Sequence, residues 1–115
     1  MGAMVYKDGK YLADVLQLAS VTPTTVAVQV TSTTVLNANF ARKYARIANL
    51  SASYPVYLSL GAPAVGSSGI FLGVSPVAGQ PGGSFTLLCK DFMFTGAILA
   101  IAVGGIANVS VIEGT

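Results

Sequence analysis

Four acids, six bases, one thiol and no imidazole are all the ionisable chemistry this 115-residue chain offers apart from its tyrosines. Without histidine there is no Ser–His–Asp or Cys–His catalysis, no histidine metal site, and no ordinary general base near neutral pH. The acids are Asp8, Asp14, Asp91 and Glu113. A paired-carboxylate hydrolase would need two of them to converge on one cleft. Three have plainer readings. Asp8 with Gly9 makes a tight turn, Asp91 beside Lys90 ends a strand in solvent, and Glu113 solubilises the tail. Cys89 is in phase with Phe85 and Leu87, as a small buried hydrophobe would be. Its neighbour Lys90 points the other way in a strand, so it does not activate the thiol. A single cysteine also excludes an intrachain disulfide. The glycines at 79, 82 and 83 lack the Gly-Lys-Ser/Thr ending of a phosphate loop, and nothing helical follows. They read as a flexible connection between strands. An enzyme is therefore the least expected class, and no cofactor or metal is expected.

Arg42, Lys43 and Arg46 with Phe40 and Tyr44 form the one basic-aromatic cluster. On a strand, Arg42, Tyr44 and Arg46 share a face and two guanidiniums flank a ring. Such a group could stack nucleic-acid bases, form an inter-subunit ion-pair or cation–π site, or decorate a solvated strand edge. With a net charge of only +2 and no second basic patch, nucleic acid is not expected as a partner. Asn49-Leu50-Ser51 and Asn108-Val109-Ser110 match glycosylation sequons. Charge at Lys7 and Asp8 precedes any apolar run, so no secretory signal is read and both matches are taken as chance.

The elements that carry these residues read as strands. Residues 5–7 and 10–12 flank Asp8-Gly9, a favoured hairpin turn. Residues 24–34 alternate, with Val26, Val28 and Val30 on one face and Thr25, Ala27, Gln29 and Thr31 on the other. Further strands are expected at 43–50, at 54–60 with Tyr54, Val56, Leu58 and Leu60 on one face, at 70–74, and at 84–90. Residues 97–103 and 106–112 flank Gly104-Gly105. A two-residue loop there would pair Ala102 with Ala107, Ala100 with Val109 and Ile98 with Val111, an entirely apolar face. The other face would pair Val103 with Ile106, Ile101 with Asn108 and Leu99 with Ser110. One face reads as core and the other as contact surface. The 92–112 run carries no charge and is long enough to cross a bilayer as a helix. Thr95, Asn108, Ser110, the Gly-Gly break and the β-branched second half favour the hairpin, so no membrane is expected.

The expected fold is all-β, a small antiparallel β-sandwich or barrel with a C-terminal Gly-Gly hairpin. It forms a single domain, with residues 1–4 a remnant of an expression tag, 5–36 an N-terminal arm and first strands, and 37–115 the sandwich body. Its surface is unusual. Hydrophobic residues make up 53% and charged residues 9%, against about 25% charged in ordinary soluble domains. Charge is absent from Ile47 to Cys89 and from Phe92 to Ile112. Such an exterior is poor at staying alone and good at being covered by a neighbour.

From Asn37 onward several segments carry a resemblance. They are Asn37-Ala38-Asn39-Phe40-Ala41-Arg42-Lys43, Ala45-Arg46-Ile47-Ala48-Asn49-Leu50-Ser51 and Pro55-Val56-Tyr57-Leu58-Ser59-Leu60-Gly61, followed by Gly69-Ile70 and Gly82-Gly83-Ser84-Phe85. The last are Phe94-Thr95-Gly96-Ala97-Ile98-Leu99-Ala100-Ile101-Ala102 and Val109-Ser110-Val111-Ile112-Glu113-Gly114. In this order the chain resembles small accessory virion proteins of tailed bacteriophages, of the head-decoration or minor tail and fibre type. The resemblance covers about two-thirds of the chain and leaves residues 5–36 outside it. It implies a non-enzymatic virion component on the particle surface, assembled in the host cytoplasm. The expected partners are itself, as a homo-oligomer with a trimer favoured, and phage capsid or tail proteins. Capsid decoration is the first expectation. A tail or fibre role with receptor or carbohydrate binding, drawing on Tyr6, Tyr11, Tyr44, Tyr54 and Tyr57, is the alternative. The candidate subunit-interface residues are Arg42, Tyr44, Arg46, Leu99, Ile101, Val103 and Ile106.

Overall fold

The computed structural model describes residues 21–77, 81–88 and 93–115. The expected 5–12 hairpin, with Asp8, Asp14, Cys89, Lys90 and Asp91, lies outside the described residues. Eight strands make up the described chain: β1 (Val21–Val28), β2 (Thr33–Leu36), β3 (Tyr44–Asn49), β4 (Val56–Leu60), β5 (Ile70–Leu72), β6 (Ser84–Leu88), β7 (Ile98–Ala102) and β8 (Ala107–Gly114). They form two four-stranded sheets, ordered β1-β8-β3-β6 and β2-β7-β4-β5. Every pairing is antiparallel. The chain is thus an all-β sandwich, and among the described residues no helix is long and apolar enough to cross a membrane.

Period-two alternation builds the core. Val28, Ile47, Val109 and Val111 from the first sheet face Val56, Leu58, Leu72 and Ile98 from the second, all essentially without solvent contact. Each large apolar side chain so buried stabilises the fold by about 1.5–3 kcal/mol. Four alanines, Ala45, Ala100, Ala102 and Ala107, with Val35 and Leu87, complete the inner layer.

Two expectations are corrected. The single strand over 24–34 is two strands in different sheets, broken at residues 29–32. Gln29 N–H donates to Thr33 Oγ1 (3.0 Å), and that hydroxyl donates to Thr31 O (2.9 Å). These local bonds compete with the ladder and turn the chain. Val30, expected beside Val26 and Val28, is consequently exposed. Ala102 N–H reaches back to Gln29 O (2.9 Å) and fastens the corner.

The second correction is the C-terminal hairpin. β7 lies between β2 and β4, whereas β8 lies between β1 and β3. Ala102 pairs with Val56 and Ala107 with Val28, not with each other. Gly104-Gly105 is therefore a corner between the sheets. The apolar faces of the two strands are buried as expected, but they lie in opposite layers of the interior. Alternation fixes which side chains go inward; it does not say whether two strands sit side by side or face to face. Gly104 has φ +100°, and the Tyr54 ring covers the corner.

Pro23 sits on β1 at the rim of the first sheet. The Leu50 N–H to Asn108 O bond (2.9 Å) sets the phase of the ladder: even-numbered residues of β8 bond towards β3 and odd-numbered ones towards β1. On β1 the bonding residues are then Thr22, Thr24, Val26 and Val28. The missing donor of Pro23 faces the outer edge of the sheet formed by the described residues, costs no ladder bond there, and guards that edge against pairing.

Asn49 closes one end of the sandwich. It is fully buried at the end of β3. Its Nδ2 donates to Tyr54 O (3.0 Å) and Leu72 O (3.2 Å), and its Oδ1 accepts from Ser51 N–H (2.9 Å). The sequon at Asn49 is thus occupied by structure. Asn49 also bonds through its backbone to Gly83 O and Gly82 N. Gly82-Gly83, expected as part of a flexible connection, is instead held against Leu72 to Ser75; a Cβ on Gly83 would lie 2.6 Å from Gly73 N. Only glycine allows that backbone approach.

Candidate interaction surfaces

Arg42 is the residue the structure moves furthest from expectation. Its side chain is inside the protein, and so does not share a face with Tyr44 and Arg46. Nε donates to Glu113 Oε2 (2.8 Å), Nη1 to Phe94 O (2.6 Å) and Gly96 O (3.0 Å), and Nη2 to Asn37 O (2.7 Å). One planar fork thereby ties four chain segments together, which an ammonium could not do. Glu113, expected as a solubilising tail residue, is the counter-charge of this buried guanidinium. Arg42 anchors the end of the sandwich opposite Asn49.

Tyr44 and Arg46 stand on the outer face of the first sheet, Tyr44 half-buried and Arg46 exposed. Cross-strand pairing sets Ser110 between Thr25 and Ala48, and Ile112 between Pro23 and Arg46. Arg46, Ala48, Leu50, Pro81, Ser110 and Ile112 surround a concavity of about 270 Å³ on this face. Its lining is apolar or hydroxylic, with Arg46 the one charge.

Leu99 and Ile101 stand on the outer face of the second sheet, the opposite side of the molecule. Pairing places Leu99 between Thr34 and Ser59, and runs a row from Ile101 through Tyr57 to Phe71. The Tyr57 and Phe71 rings lie 5.2 Å apart at 56°, a tilted contact. Phe71 is 57% exposed, and no ionised side chain occurs in β2, β4, β5 or β7. Val103 and Ile106 flank the Gly104-Gly105 corner, both exposed. The seven candidate residues are thus spread over the interior, two opposite faces and one corner. They do not form a single patch.

Sequence reasoning named Tyr57 only as an aromatic platform for a receptor or carbohydrate, and missed Phe71 and the face the two rings share. The signal was present: if Val56, Leu58 and Leu60 point inward, Tyr57 must point outward. Phe71 lies on a strand of three residues, too short to show a period. Among the described residues no group of three or more acids, cysteines or histidines could hold a metal. The chain matches no protein family, no curated protein and no solved structure with which it was compared.

Proposed function

We propose that this chain is a non-enzymatic structural protein of a bacteriophage particle, a homo-oligomeric component that decorates and stabilises the capsid. The observation that carries the reading is the uncharged outer face of the second sheet, where Phe71 is exposed and Ile101 and Tyr57 beside it are half-buried. Exposed apolar rows of this kind mark surfaces that another protein covers. The virion assignment rests on the resemblance of residues 37–114 to small phage proteins.

The size of that face suggests how it works. Four strands about 4.8 Å apart and three to five residues long at about 3.3 Å each present roughly 270 Å². A stable two-body interface needs about 800 Å² on each partner. One such face binds weakly alone and well only when a lattice engages several surfaces of the subunit at once. A subunit that binds the assembled shell and not its free components stabilises the shell by mass action.

Mass spectrometry and immunogold labelling of purified phage particles from a host carrying this gene test the reading. Many copies on the head are expected. Labelling confined to the tail would move the chain to a minor tail or fibre role, and its absence from particles would overturn the proposal.

A further inference from the structure

Phe40 is 95% exposed, the least covered large hydrophobic side chain in the described structure. It is held out by design of the turn that bears it. Asn39 O accepts from Arg42 N–H (3.2 Å), closing a four-residue turn with Phe40 at its second position. Asn39 Oδ1 accepts from Ala41 N–H (3.0 Å), an Asx turn inside the first. Asn39 N–H donates to Thr95 O (2.7 Å), and Arg42 Nη2 to Asn37 O (2.7 Å), so both arms of the turn are fastened to the body. The ring is a knob on a rigid stalk. The backbone that bears it is already ordered by these bonds, which removes part of the cost of binding.

The concavity on the outer face of the first sheet, bounded by Arg46, Ala48, Leu50, Pro81, Ser110 and Ile112, has about 270 Å³ of space. An apolar cavity of about 150 Å³ accepts benzene, so a benzyl group fits here with room for its stalk. The exposed guanidinium of Arg46 at the rim would meet the negative face of the ring, a cation–π contact. The segment 37–41 around the knob carries no charge, so it sets no cation against Arg46, the only charge in the pocket wall.

We propose that Phe40 of one copy inserts into the Arg46–Ala48–Ser110–Ile112 pocket of the next. The exposure of Phe40 shows that it does not occupy the pocket of its own chain. Knob and hole are different surfaces, so the contact is head-to-tail and propagates into a ring or a chain of subunits. A buried aromatic anchors an interface more strongly than its area alone suggests. This inference rests on the reading of the chain as a self-assembling component, and adds the partner surface and its direction.

Sedimentation velocity on the full chain tests it, using Phe40→Ala to remove the knob and Ser110→Tyr to fill the hole, each checked for a wild-type circular dichroism spectrum. Wild type is expected to grow beyond dimers as concentration approaches about 1 mM, where even a millimolar contact is half formed. Each variant alone should lose at least about 30-fold in association constant, the effect of deleting a binding hot spot. Mixed together they should form a one-to-one dimer that grows no further, because one intact knob meets one intact hole. Wild-type association in both variants would overturn the knob-and-hole contact while leaving self-assembly standing. A wild type that stays monomeric would overturn both.

Discussion

Arg42 Nε lies 2.8 Å from Glu113 Oε2, which joins the residue leading into β3 to the penultimate residue of β8 inside the protein. The guanidinium has no solvent contact, while the carboxylate keeps some. Nε and Nη1 reach acceptors more than 50 residues away in sequence, and Nη2 bonds to Asn37 O in the same loop. Replacing it by methionine leaves those oxygens unpaired, and we expect a loss of about 3–5 kcal/mol. Glu113→Gln keeps an acceptor and should cost only about 1 kcal/mol. Urea titration reads both as shifts of midpoint at constant slope. Equal losses from the two variants would mean that the charge pair matters more than the fork.

Asn49 gives a sharper contrast. Its amide nitrogen donates to two carbonyl oxygens, Tyr54 O and Leu72 O. Asn49→Asp would turn a carboxylate towards both. It should destabilise more than Asn49→Ala, and each by about 2 kcal/mol or more. Tolerance of aspartate at this position would contradict the assigned hydrogen bonds.

Gly83 and Gly105 are both tightly covered, by different kinds of neighbour. A Cβ on Gly83 meets backbone at 2.6 Å, whereas one on Gly105 meets the Tyr54 ring at 2.6 Å. Backbone in a sheet junction cannot step aside, and a half-exposed ring can. Gly83→Ala should cost about 3 kcal/mol and Gly105→Ala about 1 kcal/mol. Calorimetry would separate them, since about 4–8 °C of melting temperature corresponds to each kcal/mol in a domain of this size.

The outer row of the second sheet separates assembly from stability. Phe71→Thr removes the ring contact with Tyr57, worth about 0.5–1.5 kcal/mol beyond area. Threonine keeps the strand propensity. We expect a folded protein whose melting temperature falls by a few degrees and whose binding to purified capsids falls about tenfold, the equivalent of about 1.4 kcal/mol at the contact. Unchanged binding would move the contact away from this face.

Most inward-facing positions could be read from alternation. Ile98, Ala100, Ala102, Val109 and Val111 fall on the face that reads as core and are all buried, whereas the faces that carry Val28, Val56 and Leu58 also carry the exposed Val30 and Tyr54. What alternation could not carry was partnership between strands. Gly104-Gly105 has the composition of a tight hairpin, yet the chain uses it to cross from one sheet to the other. Arg42 illustrates the other blind spot. A basic residue next to a strand reads as surface, and only long-range folding brings Phe94, Gly96 and Glu113 around it. Phe40 looked like a member of a basic-aromatic cluster; the turn at Asn39 sets it apart.

The claim on which the account turns is that so few charges leave the exterior of this sandwich to be covered by protein, its own copies included. Static light scattering of the purified chain, from about 10 µM to about 1 mM, addresses it directly. The weight-average mass should rise steadily with concentration and fall back on dilution. A mass that stays at that of one chain over the whole range would contradict it.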